Sequence, residues 1–73
     1  MHKILTIIEK DEFGYYAHCP ALEGCQTQGD SLEEVEQNIK EAIALYLSTL
    51  TKEEKQKLFD KELTAMMTEV QVA

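Results

Sequence analysis

The sequence predicts an α+β fold with the element order β-β-β-α-(short α)-β, in which one long helix packs on a face of a sheet. Three observations predict it. Strand-like segments fill the first 28 residues, one strongly amphipathic segment follows at residues 32–50, and an alternating segment lies at residues 64–72. A helix that is apolar along one side needs a surface to cover, and the strands around it supply a sheet.

The first two predicted strands, residues 2–10 and 15–19, are joined by a tight turn. Strand one is apolar on both faces, which is typical of a strand with neighbours on both sides. The turn at residues 11–14 ends in Gly14, which can adopt a positive φ. Pro20 ends strand two because it has no N–H to donate to a neighbouring strand.

The third predicted strand, residues 25–28, is polar, and this indicates an edge of the sheet. Gly24 and Gly29 flank it and supply turn geometry at its two ends. Side chains alternate between the two faces of a strand. Tyr15, Ala17 and Cys19 of strand two therefore share one face, and Tyr16 and His18 share the other.

The long helix is predicted to begin after Ser31 and to run over residues 32–50. Ser31 and Glu34 form a capping box, in which each side chain bonds the other residue's backbone N–H. Apolar residues then recur in steps of three and four, so they form one stripe along the helix. The stripe comprises Leu32, Val35, Ile39, Ala42, Ile43, Tyr46, Leu47 and Leu50.

Two further elements are predicted after the long helix. Thr51 opens a second capping box and a short helix to about Phe59, anchored by Leu58 and Phe59. Residues 64–72 then alternate between apolar and polar side chains over much of their length, which predicts a fourth strand, with a helix over residues 62–67 as the open alternative. A right-handed crossover would return this strand to the sheet.

Composition and charge limit the class of protein. The 73 residues make one domain of ordinary globular composition, with 44% hydrophobic and 29% charged residues. The formal net charge of −7 argues against direct binding to nucleic acid and favours a basic partner, although it also keeps a small protein soluble. No segment is long enough for a membrane span and no signal peptide is evident, so we expect a cytoplasmic protein in which Cys19 and Cys25 are free thiols.

One stretch carries a resemblance to a known family. Residues 15–25 read YYAHCPALEGC, and they are followed by QGDS and by a helix beginning LEEV. This pattern resembles the HicB family of antitoxins. The resemblance implies a four-stranded mixed sheet of strand order 3-2-1-4, a degenerate and partial ribonuclease H-like fold. The residues that carry the motif in a structural role are Pro20, Gly24, Gly29, Asp30, Ser31 and Glu34.

The resemblance also implies a function. Such a protein would bind a small basic toxin of the HicA type, which cleaves mRNA, and would cover its active surface. We expect the contact on the exposed side of strands two and three and on the acidic face of the long helix. The candidate partner-binding residues are Tyr16, His18, Gln26, Gln28, Glu33, Glu36 and Glu41.

We expect no catalytic residues, no metal site and no cofactor, and we expect a single HicB-like domain over residues 1–73 without the family's C-terminal DNA-binding module. Two alternatives remain open. One is a solitary protein of another role that forms a homodimer or higher homo-oligomer through strand three or strand four. The other is a residual metal-dependent nuclease using the carboxylates of Glu9, Asp11 and Glu12.

Overall fold

The protein folds as a three-stranded sheet with helices on one side. The computed structural model describes residues 2–73. The strands are β1 (Ile7–Asp11), β2 (Gly14–His18) and β3 (Gln26–Gly29), and the helices are α1 (Leu32–Ser48) and α2 (Lys52–Phe59). Both strand pairs are antiparallel and the strand order is β1-β2-β3. Three antiparallel strands and two helices thus make up the regular structure of residues 2–73.

The predicted four-stranded mixed sheet of order 3-2-1-4 is wrong. Residues 64–72 form no strand and every one of them is exposed, while residues 2–6 lie outside β1 and have no regular structure. β1 is consequently an edge strand and not an inner one. An alternating pattern indicates that a segment can pair, but pairing needs an edge that receives it, and this chain does not return to β1 after α2. The ribonuclease H-like arrangement implied by the resemblance is not formed.

Two tight connections set the register of the sheet. Gly14 has a φ of +124° in the β1–β2 hairpin, and the Asp11 carboxylate accepts a hydrogen bond of 2.8 Å from the backbone N–H of Phe13. Gly24 has a φ of +79° in the β2–β3 loop. Because glycine has no Cβ, it adopts these positive angles without strain.

The loop between β2 and β3 is closed by its own backbone. Three backbone N–H groups each donate to a backbone carbonyl. Cys19 donates to Cys25 (3.1 Å), Leu22 donates to Cys19 (3.0 Å), and Cys25 donates to Leu22 (2.9 Å). Leu22 is thereby turned inward and only 2% of it is exposed. A loop that fills part of the core cannot change length freely, so it acts as a structural element.

Side-chain caps start both helices where the sequence predicts. The Ser31 hydroxyl accepts a 3.0 Å bond from the N–H of Glu34, but the return bond of the predicted capping box is not formed. Thr51 and Glu54 form both bonds, at 2.8 and 3.1 Å. α1 ends two residues earlier than predicted, at Ser48, and α2 ends at Phe59 as predicted.

The core lies between α1 and the inner face of the sheet. Gly29 of β3 meets the first turns of α1 so closely that a Cβ placed there would lie 2.8 Å from the backbone nitrogen of Val35. The Asn38 amide also donates a 2.9 Å bond to the carbonyl of Gln28 and ties the two elements together. The buried residues are Ala17, Cys19, Leu22, Cys25, Val35 and Ile39.

Helix α2 is held through the two anchors that the sequence predicts. Leu58 packs against the core, and the Phe59 ring stacks on His2 with ring centroids 3.9 Å apart. Both helices leave the other face of the sheet uncovered. The open face is therefore a surface available for binding.

Candidate functional site

Four of the predicted partner-binding residues lie together on the open face of the sheet. Tyr16 lies directly opposite Gln28, and His18 lies directly opposite Gln26, in the antiparallel register of β2 and β3. Opposed residues point to the same side of a sheet. Since Ala17 between them is fully buried toward α1, these four side chains point away from the core. We call this surface the outer sheet face.

Aromatic and amide groups organise the outer sheet face. The Tyr16 hydroxyl donates a 2.8 Å hydrogen bond to the side-chain oxygen of Gln26. The rings of Tyr16 and His18 stack at a centroid distance of 5.6 Å and an interplanar angle of 27°. Both side chains are half-buried, and Nδ1 of His18 is buried without a hydrogen bond. The result is a pre-ordered patch with one polar atom left unpaired.

β1 extends this surface with one apolar and one acidic side chain. Ile7 lies opposite His18, and Glu9 lies opposite Tyr16. Asp11 follows on the same face but lies at the hairpin, opposite Gly14. Among the six positions around Tyr16 and His18, Glu9 carries the only formal charge, so this part of the face is mostly uncharged in an acidic protein. Aromatic groups with low charge density at the centre and polar groups around them are typical of protein–protein contact surfaces.

The three glutamates predicted to share the site lie elsewhere. Glu33, Glu36 and Glu41 are exposed on α1, which covers the inner face of the sheet. They therefore lie on the opposite side of the molecule from the outer sheet face. The structure does not bring the two predicted sets together, and one flat contact cannot include both.

The motif residues serve the fold around the site. Pro20 follows the end of β2, Gly24 takes a positive φ, and Gly29 gives α1 room to approach β3. The reason for Gly29 is thus close packing and not the turn geometry that the sequence predicts. Ser31 caps α1, and Asp30 is exposed just before it.

Two cysteines lie opposite each other at the end of the β2–β3 ladder. Cys19 and Cys25 are buried free thiols, and Cys19 Sγ lies 3.6 Å from the Thr6 hydroxyl. Burial raises the pKa of the Cys25 thiol, and the nearby Cys19 raises it further through its charge and a hydrogen bond. A thiol with a raised pKa is a poor nucleophile at neutral pH. Both cysteines are therefore core residues.

The acidic residues of the nuclease alternative lie at the hairpin. Glu9 is on the outer sheet face, Asp11 accepts a backbone hydrogen bond in the turn, and Glu12 is exposed. Among residues 2–73, no group of three or more His, Cys, Asp or Glu side chains is arranged to hold a metal ion. Within the same range, no helix has the length and apolar content needed to cross a bilayer.

Sequence reasoning missed a groove beside α1. Side chains of residues 2–8 line one wall and α1 lines the other, enclosing about 400 Å³. The available signal is the apolar run of Ile4, Leu5, Ile7 and Ile8, but apolar side chains on both faces predict a strand with neighbours on both sides and not a groove. The groove exists because β1 has no neighbour on that edge.

Comparison with known proteins assigns the chain to a family. The model of the family described as "HicB_like antitoxin of bacterial toxin-antitoxin system" matches residues 4–72. The chain belongs to this HicB-like antitoxin family. The resemblance carried by residues 15–25, by QGDS and by the start of the helix is thus confirmed, and membership supports an antitoxin role with a toxin as partner.

Several curated relatives carry the name UPF0150 protein. The relative from Helicobacter pylori is 57% identical over 51 residues, which is 70% of this chain and 71% of the relative. One from Synechocystis sp. is 46% identical over 54 residues, which is 73% of this chain and 68% of the relative. One from Archaeoglobus fulgidus is 54% identical over 46 residues, which is 62% of this chain and 67% of the relative. The comparison with solved structures found no match.

Proposed function

We propose that the chain neutralises a small basic toxin of the HicA type by binding over the surface with which the toxin cleaves mRNA. The observation that carries this proposal is the outer sheet face, an uncovered face of the sheet with stacked Tyr16 and His18 at its centre. Inhibition then needs no catalysis by the chain, only a stable complex that excludes RNA.

The outer sheet face suits a protein partner better than the acidic side of α1. Tyr16 and His18 are already stacked, and Tyr16 is fixed by Gln26, so little conformational freedom is lost when a partner covers them. Aromatic anchors supply most of the binding energy at protein interfaces, whereas exposed charges contribute little. Glu33, Glu36 and Glu41 are exposed charges of this second kind.

The acidic side of α1 has a separate part in this proposal. The net charge of −7 creates a field that attracts a basic protein from a distance and repels RNA. Charges away from the contact change mainly the association rate, and salt weakens their effect. The glutamates would thus speed the encounter, and the outer sheet face would hold the complex. This action would take place in the cytoplasm, where the mRNA is.

A matched pair of substitutions separates these two roles. Gln28→Lys places a positive charge on the outer sheet face, and Gln37→Lys places the same charge on the exposed side of α1. Both change the net charge from −7 to −6, so the long-range field weakens equally. The assay is RNA cleavage by a HicA-type protein encoded beside this chain, titrated with each variant, together with the Kd of each complex.

We expect wild-type and Gln37→Lys chains to stop cleavage at a stoichiometric ratio. Gln28→Lys is expected to weaken binding about tenfold or more, because a charge at a desolvated contact costs on the order of 1.4 kcal/mol or more. If Gln37→Lys weakened binding more than Gln28→Lys does, the toxin contact would lie on α1 and not on the outer sheet face. Undiminished cleavage at every ratio would contradict toxin neutralisation. Metal-dependent cleavage by the chain alone, abolished by Glu9→Gln, would favour the nuclease alternative.

The second candidate function is self-association of the chain in another role. One observation favours it: the apolar side chains of the last ten residues are exposed in a single copy. A homodimer is also compatible with toxin binding, because those residues lie outside the outer sheet face.

A further inference from the structure

The last ten residues are an apolar segment without a contact surface. We call residues 64–73 the tail. Met66, Met67, Val70 and Val72 are 75–100% exposed, whereas the rest of the chain buries its apolar residues or leaves them singly exposed. Glu69 is the only charged side chain in the tail of a protein with a net charge of −7. Exposed apolar groups that lie together mark an interaction surface.

The groove beside α1 has the complementary properties. Ile4 and Ile8 face Ile39 and Ile43 across it, and about 400 Å³ lies between them. Glu36 and Lys40 also line it, so the groove carries one formal charge of each sign and is otherwise mainly apolar, like the tail. The outer edge of β1 carries unpaired backbone groups next to the groove, and such an edge readily accepts an extended segment.

Within one copy the tail leaves the body of the molecule. The radius of gyration is 14.3 Å for 73 residues, against about 11 Å expected of a compact chain of this length. The departure point is close to the N-terminal segment, since Leu63 shares a small cavity with Leu5 and Leu58. The tail therefore starts near the N-terminal segment that leads into β1, but it does not fill the groove of its own copy.

We propose that two copies of the chain exchange tails, so that each tail lies extended in the groove of the other copy. Each copy carries both a groove and a tail. In a dimer with one twofold axis, each tail can therefore cover the groove of the other copy. The tail is long enough to span the groove: its ten residues reach about 33 Å when extended, and the seven residues of the groove's outer wall reach about 23 Å.

The exchange deepens the homodimer described above and does not depend on the toxin. The tail binds at the edge of β1 and beside α1, whereas the toxin contact is placed on the outer sheet face. A tail variant therefore tests only the dimer, and Gln28→Lys tests only the toxin contact.

The first experiment measures the mass of the full chain in solution by light scattering and sedimentation over a wide concentration range. Met66→Glu/Val70→Glu adds two charges to the tail. Phe13→Glu/Leu45→Glu is the matched control, because it changes net charge equally at exposed apolar residues outside tail and groove. We expect dimers for the wild-type and control chains and monomers for the tail variant, with unchanged circular dichroism.

The second experiment traps the contact between chains. A chain with Ile8→Cys is mixed with a mass-tagged chain with Val70→Cys, and oxidised glutathione is added. We expect a disulfide-linked heterodimer, since the native Cys19 and Cys25 are buried and react slowly. A wild-type chain that is monomeric at every concentration, or a tail variant that remains dimeric, would overturn the proposal. The proposal would also be overturned if a chain carrying both Ile8→Cys and Val70→Cys formed only an internal disulfide.

Discussion

Gly29→Ala tests the contact that positions α1 on the sheet. The added Cβ would lie 2.8 Å from the Val35 nitrogen, 3.1 Å from its Cα and 3.2 Å from its Cβ. Two of these atoms are backbone atoms of a helix, so no side-chain rotation can relieve the collision. Either α1 moves away from β3 or the strand bends, and both open the core around Val35.

The expected loss is a large part of the total stability. Overpacking by one methyl group costs about 1–3 kcal/mol, and a backbone collision belongs in the upper half of that range, near 2 kcal/mol. A chain of 73 residues has a total free energy of unfolding of about 4–11 kcal/mol. A loss of about 2 kcal/mol corresponds to a fall in Tm of roughly 8–16 °C.

Urea and thermal unfolding followed by circular dichroism at 222 nm measure this loss, and Gly24 supplies the comparison. Gly24 has a φ of +79° and nothing within 4 Å of an added Cβ, so Gly24→Ala adds only backbone strain. Asparagine tolerates that conformation better than alanine. At Gly24 we expect asparagine to be less damaging than alanine, and at Gly29 we expect it to be more damaging.

The result that would refute this reasoning is a Gly29→Ala chain whose Tm lies within about 2 °C of wild type, which is under ~0.5 kcal/mol. It would mean that α1 does not press on β3 at this point. If asparagine were less damaging than alanine at Gly29 as well as at Gly24, contact with Val35 would not be what determines the loss at Gly29.

Three further predictions concern the core, the second helix and the thiols. Val35→Ala removes two buried methyl groups and is expected to lower the free energy of unfolding in urea by about 2–3 kcal/mol. The hydrogen bonds from Thr51, above all from its backbone N–H, lower the pKa of Glu54, so the stability they give is complete above its unfolded pKa and is lost as pH falls through the folded value; helicity of α2 measured by NMR should fall with acid in wild type but much less in Glu54→Gln, which cannot titrate. The pKa of Cys25 is raised by burial and by Cys19, so stability should decrease as pH rises past the unfolded thiol pKa, and alkylation in the native state at pH 8 should be far slower than in urea; equal rates in the two states would show an accessible thiol.

Local elements could be predicted from the sequence because their causes lie within a few residues. The caps at Ser31 and Thr51, the hairpin at Gly14 and the apolar stripe of α1 each depend on neighbours in the chain. The outer sheet face could be predicted for the same reason, since strand alternation fixes which of Tyr15 and Tyr16 faces the core.

The tail and the N-terminal segment could not be predicted in this way. Residues 64–72 have the pattern of a strand, but a strand exists only where an edge receives it, and that is a property of two distant segments. The position of the glutamates relative to Tyr16 could not be predicted for a similar reason. These residues are Glu33, Glu36 and Glu41. The sequence groups residues by helix face, whereas the side of the sheet that the helix covers follows from the fit between Gly29 and Val35.

Within residues 2–73, all six buried residues fall between Ala17 and Ile39, a window of 23 positions. Contacts so near in sequence close short loops, and topologies of this kind reach the native state quickly. Outside that window, side chains such as Ile4, Ile43 and Leu58 pack against the core but stay partly exposed, so substitutions there disturb less packing. The two flanks of the chain are therefore free to diverge between relatives, and evolution can fit them to new neighbours while the middle keeps the domain folded.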